Sequence, residues 1–157
     1  GMLRTNVATL LSSVTLDGTV TPVSTEYFAT SADAHLLLGH IAPEDYTCPA
    51  PDNGEKTPDA AARRLARVVC ADLDEIGEEG GLQVAREFWQ VQRTLIGRAV
   101  GRALLQSGAE EVITAGIGAD LFARELGGVT LNQKLGEVSD ALPAYAVREV
   151  ALRTAGG

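Results

Sequence analysis

The sequence predicts one α/β domain, and three observations lead to that prediction. Residues 7–28 have the composition of a β-hairpin, and residues 82–107 have the apolar period of a long helix. Residues 112–126 have the pattern of a buried strand, a glycine turn and a helix. A hairpin, several helices and then a strand–helix–strand–helix unit are typical of α/β proteins. The length suits one core, so we expect residues 1–157 to form a single domain.

The composition indicates a globular protein with an acidic surface. Apolar residues make up 45% of the chain and charged residues 22%. A net charge of −8 repels phosphate backbones and anionic membranes, so we expect neither nucleic acid nor a membrane as a partner. No segment has the pattern of a signal peptide or a transmembrane helix, which predicts a cytoplasmic protein. Gly1 resembles the remnant of a cleaved tag, and we expect it to lie outside the fold.

The cysteines and histidines do not indicate a metal site. Cys48 and Cys70 lie far apart in the sequence and lack the spacing of metal ligands, which favours two free thiols. His35 and His40 do not add a zinc-binding pattern to them. The loop of P-loop nucleotide-binding proteins is also absent. We therefore expect no metal held by protein ligands alone.

The hairpin is the first predicted element, with strands over residues 7–16 and 19–28. Asp17-Gly18 between them is a strong signal for a two-residue turn. Pro22 cannot donate to a strand ladder, so we expect it at an edge or a bulge. Four residues of the second strand are expected to pack in the core: Val20, Val23, Tyr27 and Phe28.

Two shorter helices follow the hairpin. The first is predicted over residues 31–39, with Thr30 or Ser31 as its N-cap and Gly39 after its last turn. The second begins with Pro58 after the cap Thr57. Residues 40–57 between them form a long loop, which is either functional or a disordered surface excursion. The apolar face of the second helix is expected to hold Leu65, Val68 and Val69, and the opposite face Arg63, Arg64 and Arg67.

The longest helix is predicted over residues 82–107, after an acidic connection over 74–81. Gly97 and Gly101 lie four residues apart on one face of it. They either permit close approach of another element or leave space for a ligand. Gly108 is expected to end the helix.

The Gly-x-Gly turn is the most informative local signal. Gly116 and Gly118 stand between a strand that begins near Val112 and a helix over residues 120–126. Glycine lets a ligand approach the backbone closely, and the N-terminus of the next helix favours anions. The turn therefore fits a nucleotide or phosphate site, and it fits equally a tight connection without a ligand, since the third glycine of the dinucleotide motif is absent.

The carboxy-terminal stretch is predicted to finish the strand–helix–strand–helix unit. Gly127-Gly128 breaks the helix that follows the glycine turn, and residues 129–131 form a short strand. A last helix begins at Ser139. Four of its residues are expected to face inward: Tyr145, Val147, Val150 and Leu152.

Polar residues crowd the first turn of the helix predicted over 31–39. Asp33 lies there with Thr30 and Ser31, just before a run of leucines. Such a cluster at a cleft makes Asp33 a candidate general base or a ligand for a bound cation. The alternative is that Asp33 only complements the helix N-terminus.

Phe-Ala-Thr-Ser-Ala-Asp at residues 28–33, followed by Gly39, resembles a segment of the hydantoinase/oxoprolinase-like proteins linked to tetrahydromethanopterin C1 metabolism. Further stretches resemble the same family in the same order along the chain. They are Leu3-Arg4-Thr5 and residues 61–67, 112–126 and 141–147.

The resemblance implies the carboxy-terminal half of an actin-like ATPase fold, in which two ribonuclease-H-like lobes surround a nucleotide cleft. It implies Asp33 and Thr30 as catalytic residues. It also implies a nucleotide or diphosphate substrate, with Mg²⁺ as its companion ion. The residues that would bind this substrate are Gly116, Gly118, Asp120, Leu121, Arg4 and Thr5.

The family resemblance also implies a function and a partner. Archaeal members are implicated in methanofuran biosynthesis, where an aminomethylfuran diphosphate is joined to a phenol. The family's two Asp-Ile-Gly phosphate-binding motifs do not occur in this sequence. We therefore expect half of a transferase that works as a homo-oligomer or with a chain carrying the amino-terminal lobe. The alternative is a non-catalytic binding or assembly subunit that needs such a partner.

Overall fold

A computed structural model describes residues 1–155, apart from the side chains of Glu137, Asp140 and Ala155. Helices and two small sheets alternate along the chain, which confirms the mixed α/β class. The chain divides into two compact units, Gly1–Val100 and Gly101–Gly157. The single domain over residues 1–157 stays a prediction, because compactness alone does not decide whether the units fold independently. No helix within the described residues is both long and apolar enough to cross a bilayer.

The predicted hairpin is present with shorter strands. β1 (Ser13–Leu16) pairs antiparallel with β2 (Thr19–Pro22), and both turn residues between them have positive φ, as a type I′ turn requires. Residues 7–9 form a 3-10 helix instead of a strand. Pro22 lies opposite Ser13 at the end of the pair, which confirms its expected edge position.

Of the four residues in the second hairpin strand that were predicted to pack in the core, two do so. Val23 and Phe28 pack against the core, but Val20 and Tyr27 are 69% and 52% exposed. Val20 pairs with Thr15, which alternates with the buried Val14, so Val20 lies on the solvent side of the hairpin.

The two shorter helices occur where the sequence predicts them. α1 (Ser31–Leu37) has Thr30 as its N-cap and Gly39 with φ of 68° after its end. α2 (Pro58–Arg67) is capped by the Thr57 hydroxyl, which accepts from the Ala60 N–H at 3.3 Å. The loop between them is not a disordered excursion, because it contains a 3-10 helix and buries Tyr46, Cys48 and Ala50.

α3 (Leu73–Ser107) consists of two helical segments, because Gly77 within it has non-helical angles, with φ of 66° and ψ of 172°. The segment after Gly77 contains the helix predicted over residues 82–107, and the break lies within the acidic connection predicted over 74–81. That connection is shorter than predicted, because the helix continues on both sides of Gly77. Asp74 and Glu75 in its first turn favour the helix N-terminus. Added Cβ atoms at Gly97 and Gly101 would meet nothing within 4 Å, so no described element makes the predicted close approach.

One apolar cluster forms the core of the first unit. It joins the hairpin to α1, α2 and the kinked helix α3, and Phe88 at its centre is fully buried. The cluster contains residues from each of these elements, including Val14, Ala34, Leu65 and Val84. This core fixes the start of α1 against α2, which positions the polar residues described below.

The second unit contains the predicted strand–helix–strand. β3 (Ile113–Thr114) pairs in parallel with β4 (Val129–Thr130), and α4 (Ala119–Leu126) connects them. Gly128 has to be glycine, because a Cβ there would overlap the carbonyl oxygen of Val112. The remaining elements are α5 (Asn132–Leu135), a 3-10 helix (Gly136–Ala141) and α6 (Leu142–Ala155).

The prediction for the last helix is partly wrong. α6 begins at Leu142 instead of Ser139, and Val147, Val150 and Leu152 are 70%, 63% and 55% exposed. Within its unit α6 packs chiefly against the preceding 3-10 helix, so this apolar side of the helix is left uncovered. Periodicity alone cannot show whether a neighbour exists to cover an apolar stripe.

Candidate functional site

The carboxylate of Asp33 lies at the centre of a buried polar cluster. Asp33 is fully buried at the start of α1. Its Oδ1 accepts hydrogen bonds from the Tyr46 hydroxyl at 3.0 Å and from Arg64 Nε at 2.8 Å. Its Oδ2 accepts from the Thr30 N–H at 2.8 Å and from the Thr30 hydroxyl at 3.3 Å. Protein groups therefore cover the carboxylate on all sides.

Arg64 ties this cluster to the loop over residues 40–57. Its guanidinium pairs with Asp33 and also donates to the Glu55 carbonyl at 3.1 Å and to Asp52 Oδ1 at 3.2 Å. Burial alone would lower the pKa of Arg64, but Asp33 and Asp52 together with Tyr46 outweigh burial, so the pKa is raised. Burial raises the pKa of Tyr46 above its usual range. At neutral pH the cluster therefore contains a charged arginine and a neutral phenol.

The amino-terminal segment runs beside the same turn of α1. The Thr5 N–H donates to the Ser31 hydroxyl at 3.1 Å, and the Ser31 N–H donates to the Thr5 carbonyl at 2.7 Å. Asn6 and Thr30 form an isolated antiparallel bridge. Arg4 on this segment is exposed. Four predicted site residues, Arg4, Thr5, Thr30 and Asp33, thus belong to one corner of the first unit.

Two roles are predicted for Asp33, a catalytic one and a capping one at the helix N-terminus, and the structure tests the second. Asp33 accepts from the Thr30 N–H as the third residue of a capping box does, which is the structural role expected as an alternative to catalysis. The catalytic roles of Asp33 and Thr30 stay predictions. For Asp33 or Thr30 to act in catalysis, a substrate would have to reach the Asp33 carboxylate, which accepts four hydrogen bonds from the protein.

The glycine turn has the conformation that its sequence predicts. Gly116 and Gly118 have φ of 87° and 83°, in the left-handed region that favours glycine, and Gly118 is the N-cap of α4. The Gly116 N–H donates to the Ser139 hydroxyl at 3.0 Å, so a ligand could bind there only by displacing that hydroxyl. Asp120 is exposed, whereas the Leu121 side chain is buried and offers a ligand only its backbone. Binding of a nucleotide or diphosphate here stays a prediction.

The predicted site residues fall into two sets in separate units. Arg4, Thr5, Thr30 and Asp33 lie in the first unit, and residues 116–121 lie in the second. Sequence reasoning missed the partners of each set, which are Tyr46, Asp52, Arg64 and Ser139. A signal for Arg64 was present, because it follows Ala61 by three residues on the buried stripe of α2. The prediction that Arg64 lies opposite the buried face of α2 is wrong.

A second buried polar group lies where α1 meets α3. His35 is fully buried, and its Nε2 lies 2.8 Å from Gln92 Oε1, which makes Nε2 the protonated nitrogen. Its Nδ1 lies 3.0 Å from His40 Nδ1. Burial, together with the nearby His40, lowers the pKa of His35 to about 4. His35 is therefore a neutral core residue at neutral pH.

The described residues do not form a protein metal site. No group of three or more histidine, cysteine, aspartate or glutamate side chains among them gathers closely enough to hold a metal ion. They therefore do not fit a magnesium ion that is held by protein ligands alone.

Known proteins are similar to this chain over almost all of its length. The sequence profile of the hydantoinase/oxoprolinase family matches residues 1–128. A protein of Methanocaldococcus jannaschii is 31% identical over 96% of this chain and 47% of its own length. A protein of Methanococcus vannielii is 27% identical over 94% of this chain and 71% of its own length.

Both relatives carry one name, "(4-{4-[2-(gamma-L-glutamylamino)ethyl]phenoxymethyl}furan-2-yl)methanamine synthase". The chain spans about half the length of the first relative. The family profile covers most of the chain and includes both the Asp33 cluster and the glycine turn. The chain belongs to the hydantoinase/oxoprolinase family.

Proposed function

We propose that this chain is one half of a C1-metabolism transferase that joins an aminomethylfuran diphosphate to a phenolic acceptor. The observation that carries the proposal is the similarity, over 96% of the chain, to a synthase. The name of that relative describes a furan methanamine linked through a phenoxymethyl ether. The proposal includes the actin-like architecture, which the family membership supports.

The proposed reaction forms one carbon–oxygen bond, breaks another, and moves one proton to a base. The phenol oxygen attacks the methylene carbon of the furan, the bond from that carbon to the diphosphate oxygen breaks, and the phenol loses its proton. Such a step needs groups that stabilise the departing negative charge and a group that accepts the proton.

The second unit offers groups for the departing diphosphate. The backbone N–H groups at the start of α4, after Gly118, carry a partial positive charge, and anions bind at such helix ends. On the first unit, the exposed Arg4 and its neighbour Thr5 are further proposed diphosphate-binding residues. Asp120 and Leu121 are the other proposed binding residues here, and Leu121 can contribute only its backbone because its side chain is buried.

The proposed proton acceptor is Asp33, with Thr30 as its neighbour. A carboxylate is a suitable base for a phenol when a pathway for the proton exists. Tyr46 and Thr30 now occupy the oxygens of Asp33, so one of these bonds must open when the acceptor binds. No step is assigned to Mg²⁺, which stays a prediction from the family resemblance as the companion ion of the diphosphate.

The proposal requires the rest of the enzyme. The match covers less than half of the first relative, and we propose that a chain carrying the amino-terminal lobe supplies the missing phosphate-binding motifs. A purely non-catalytic assembly subunit is the less favoured alternative, because both relatives are named as synthases.

A chimera tests the proposed function. In the Methanocaldococcus jannaschii synthase, the matching part is replaced by this chain, and ether formation is followed by mass spectrometry. We expect the chimera to form the ether and the isolated chain to turn over neither the furan diphosphate nor ATP. A folded chimera that forms no ether, under conditions where the intact synthase does, contradicts the proposal. Turnover by the isolated chain contradicts the requirement for a partner.

A further inference from the structure

The Asp33 carboxylate already binds a phenol of the chain itself. The Tyr46 hydroxyl donates to Asp33 Oδ1 at 3.0 Å and lies 3.4 Å from the Thr30 hydroxyl. Tyr46 is 1% exposed, so protein encloses its ring. The acceptor of the proposed reaction is also a phenol, and it would have to give its proton to the same carboxylate. Tyr46 and the acceptor therefore need the same place beside Asp33.

Tyr46 is the loop residue among the three residues that donate to Asp33. Thr30 is the N-cap of α1 and forms a backbone bridge with Asn6. Arg64 lies on the buried stripe of α2. A movement of Thr30 or Arg64 would disturb a helix, whereas Tyr46 belongs to the loop over residues 40–57. The bond from Tyr46 is therefore the one that can open with least change to the fold.

Side-chain contacts hold this loop to the rest of its unit. Four backbone N–H groups of the loop donate to carbonyls within the loop, those of Asp45, Tyr46, Thr47 and Asn53. From outside, Arg64 donates to the Glu55 carbonyl at 3.1 Å and to Asp52 Oδ1 at 3.2 Å. Segments held in this way can open locally while the rest of a domain stays folded. Withdrawal of the loop would thus break side-chain contacts and leave the helices in place.

We propose that Tyr46 occupies the subsite of the acceptor's phenol ring, and that the acceptor binds when the loop withdraws Tyr46 from Asp33. The inference rests on the proposed function and names the acceptor class, because a tyrosine side chain is a para-alkylated phenol. After the exchange the acceptor hydroxyl donates to Asp33 Oδ1, and Arg64 keeps its bond to that oxygen. The proton passes to Asp33 as the phenol oxygen bonds to the methylene carbon, and the electrons of the breaking bond leave with the diphosphate.

Competition from Tyr46 should weaken the binding of the acceptor. A ligand that needs a minor conformation binds more weakly in proportion to the population of that conformation. Tyr46→Phe keeps the ring but removes the bond to Asp33, so it should raise the population of the open loop. A hydrogen bond to a charged group can change such an equilibrium by roughly tenfold or more.

Steady-state kinetics of the chimera test the exchange. We expect Tyr46→Phe to lower the KM for the phenolic acceptor by roughly tenfold, with kcat and the KM for the furan diphosphate little changed. Tyr27→Phe removes an exposed hydroxyl and is the matched control, which should change none of these constants. An unchanged or higher acceptor KM in Tyr46→Phe overturns the proposal. A fall in kcat also overturns it, because Tyr46 would then carry the proton to Asp33.

Asp52→Ala tests the loop while leaving every bond to Asp33 in place. It removes a contact between Arg64 and the loop, so it should lower the acceptor KM in the same direction and by a smaller factor. This variant also serves if Tyr46→Phe does not fold. An acceptor KM that stays the same or rises in Asp52→Ala contradicts control of access by the loop.

Hydrogen exchange in this chain alone separates the inference from the proposed reaction. p-Cresol is the tyrosine side chain as a free molecule, and it should speed the exchange of the Tyr46 and Asn53 amides severalfold. Toluene, which lacks the hydroxyl, should not. Equal effects of the two compounds, or no effect of either, overturn the proposal. A folded chimera that forms no ether, beside an effect of p-cresol in this chain, contradicts the proposed function alone.

Discussion

The Arg64–Asp33 ion pair is almost completely out of contact with water. The Arg64 and Asp33 side chains are 1% and 0% exposed, and every buried side-chain nitrogen and oxygen among the described residues has a hydrogen-bond partner. Taking two charges out of water is costly, and complete hydrogen bonding offsets much of that cost. The net contribution of the pair to the free energy of unfolding is therefore smaller than the stability lost when one partner alone is removed.

Removal of the arginine alone should be strongly destabilising. We expect Arg64→Leu to lower the free energy of unfolding by about 3–5 kcal/mol, because it leaves the Asp33 carboxylate buried without its cation. Urea denaturation followed by circular dichroism measures the change. Arg63→Leu is the matched control, since Arg63 pairs with Asp59 at the exposed surface and its loss should not be measurable.

The double variant gives the sharper test of the ion pair. Arg64→Leu with Asp33→Asn should recover part of the stability lost in the single variant, because the buried negative charge is removed too. If the two losses simply add, Asp33 and Arg64 do not depend on each other as the structure indicates.

His35 should make stability depend on pH in the acidic range. Its pKa is about 4 in the folded chain against an ordinary value of 6.5, because burial disfavours the charged ring. Above pH 6.5 the ring is neutral in both states and the stability is fully present. As the pH falls from 6.5 towards 4, the unfolded chain takes up the proton first, so the stability falls by up to about 3 kcal/mol.

Chemical denaturation between pH 4 and pH 7 measures this loss. The control is His35→Gln, which removes the titrating ring and should show a flatter pH dependence than the native chain. Equal pH dependence in both proteins would mean that other groups cause the loss.

At the scale of the element, Gly128 and Gly97 differ in the space around them. Gly128 lies against the Val112 carbonyl where β4 begins, whereas Gly97 lies within α3 with open space around it. We expect Gly128→Ala to disrupt the β3–β4 pair, since the methyl group would overlap that carbonyl. Gly97→Ala should instead stabilise the chain by up to about 1 kcal/mol, because alanine favours the helix. Thermal unfolding of the two variants compares them, and a loss of stability in Gly97→Ala would show that another chain packs there.

The turn before α4 gives a second prediction for this scale. Gly118 has φ of 83°, so Gly118→Val should lower the free energy of unfolding by about 1–2 kcal/mol. The proposed function adds that the chimera carrying this variant no longer binds diphosphate at temperatures where it is still folded. Thermal midpoint and diphosphate binding are measured on the same variant by scanning and titration calorimetry. Unchanged diphosphate binding would leave the turn with a structural role only.

At the scale of the whole molecule, the second unit exposes unusually many apolar residues. Along α6 these are Val147, Val150 and Leu152. Exposed apolar patches favour association, and a net charge of −8 opposes it. We expect the isolated chain to associate at high micromolar concentration, more strongly when salt screens the charge. Sedimentation equilibrium of the native chain and of Val147→Lys with Val150→Lys tests this, and a native chain that stays monomeric contradicts it.

Local signals in the sequence predicted much of the fold. Thr30, Thr57 and Gly39 bounded the two shorter helices correctly, and Asp17-Gly18 and the Gly-x-Gly turn were placed correctly. Each of these signals acts through a neighbour a few residues away or through the chain's own φ angle. The sequence also showed the similarity that leads to the family, since that similarity lies in the order of residues.

Only the tertiary structure decided which of these residues meet. Arg64 was expected opposite the apolar face of α2, but it pairs with Asp33 across 31 positions of sequence and donates to the Glu55 carbonyl of the loop. Val147 and Val150 were expected to face inward, but their side chains are exposed. Burial depends on which elements pack together, and a local pattern specifies only which face of an element is able to be buried. The sequence by itself thus determined the turns, the caps and the family, and packing decided the charged centre and the uncovered surface.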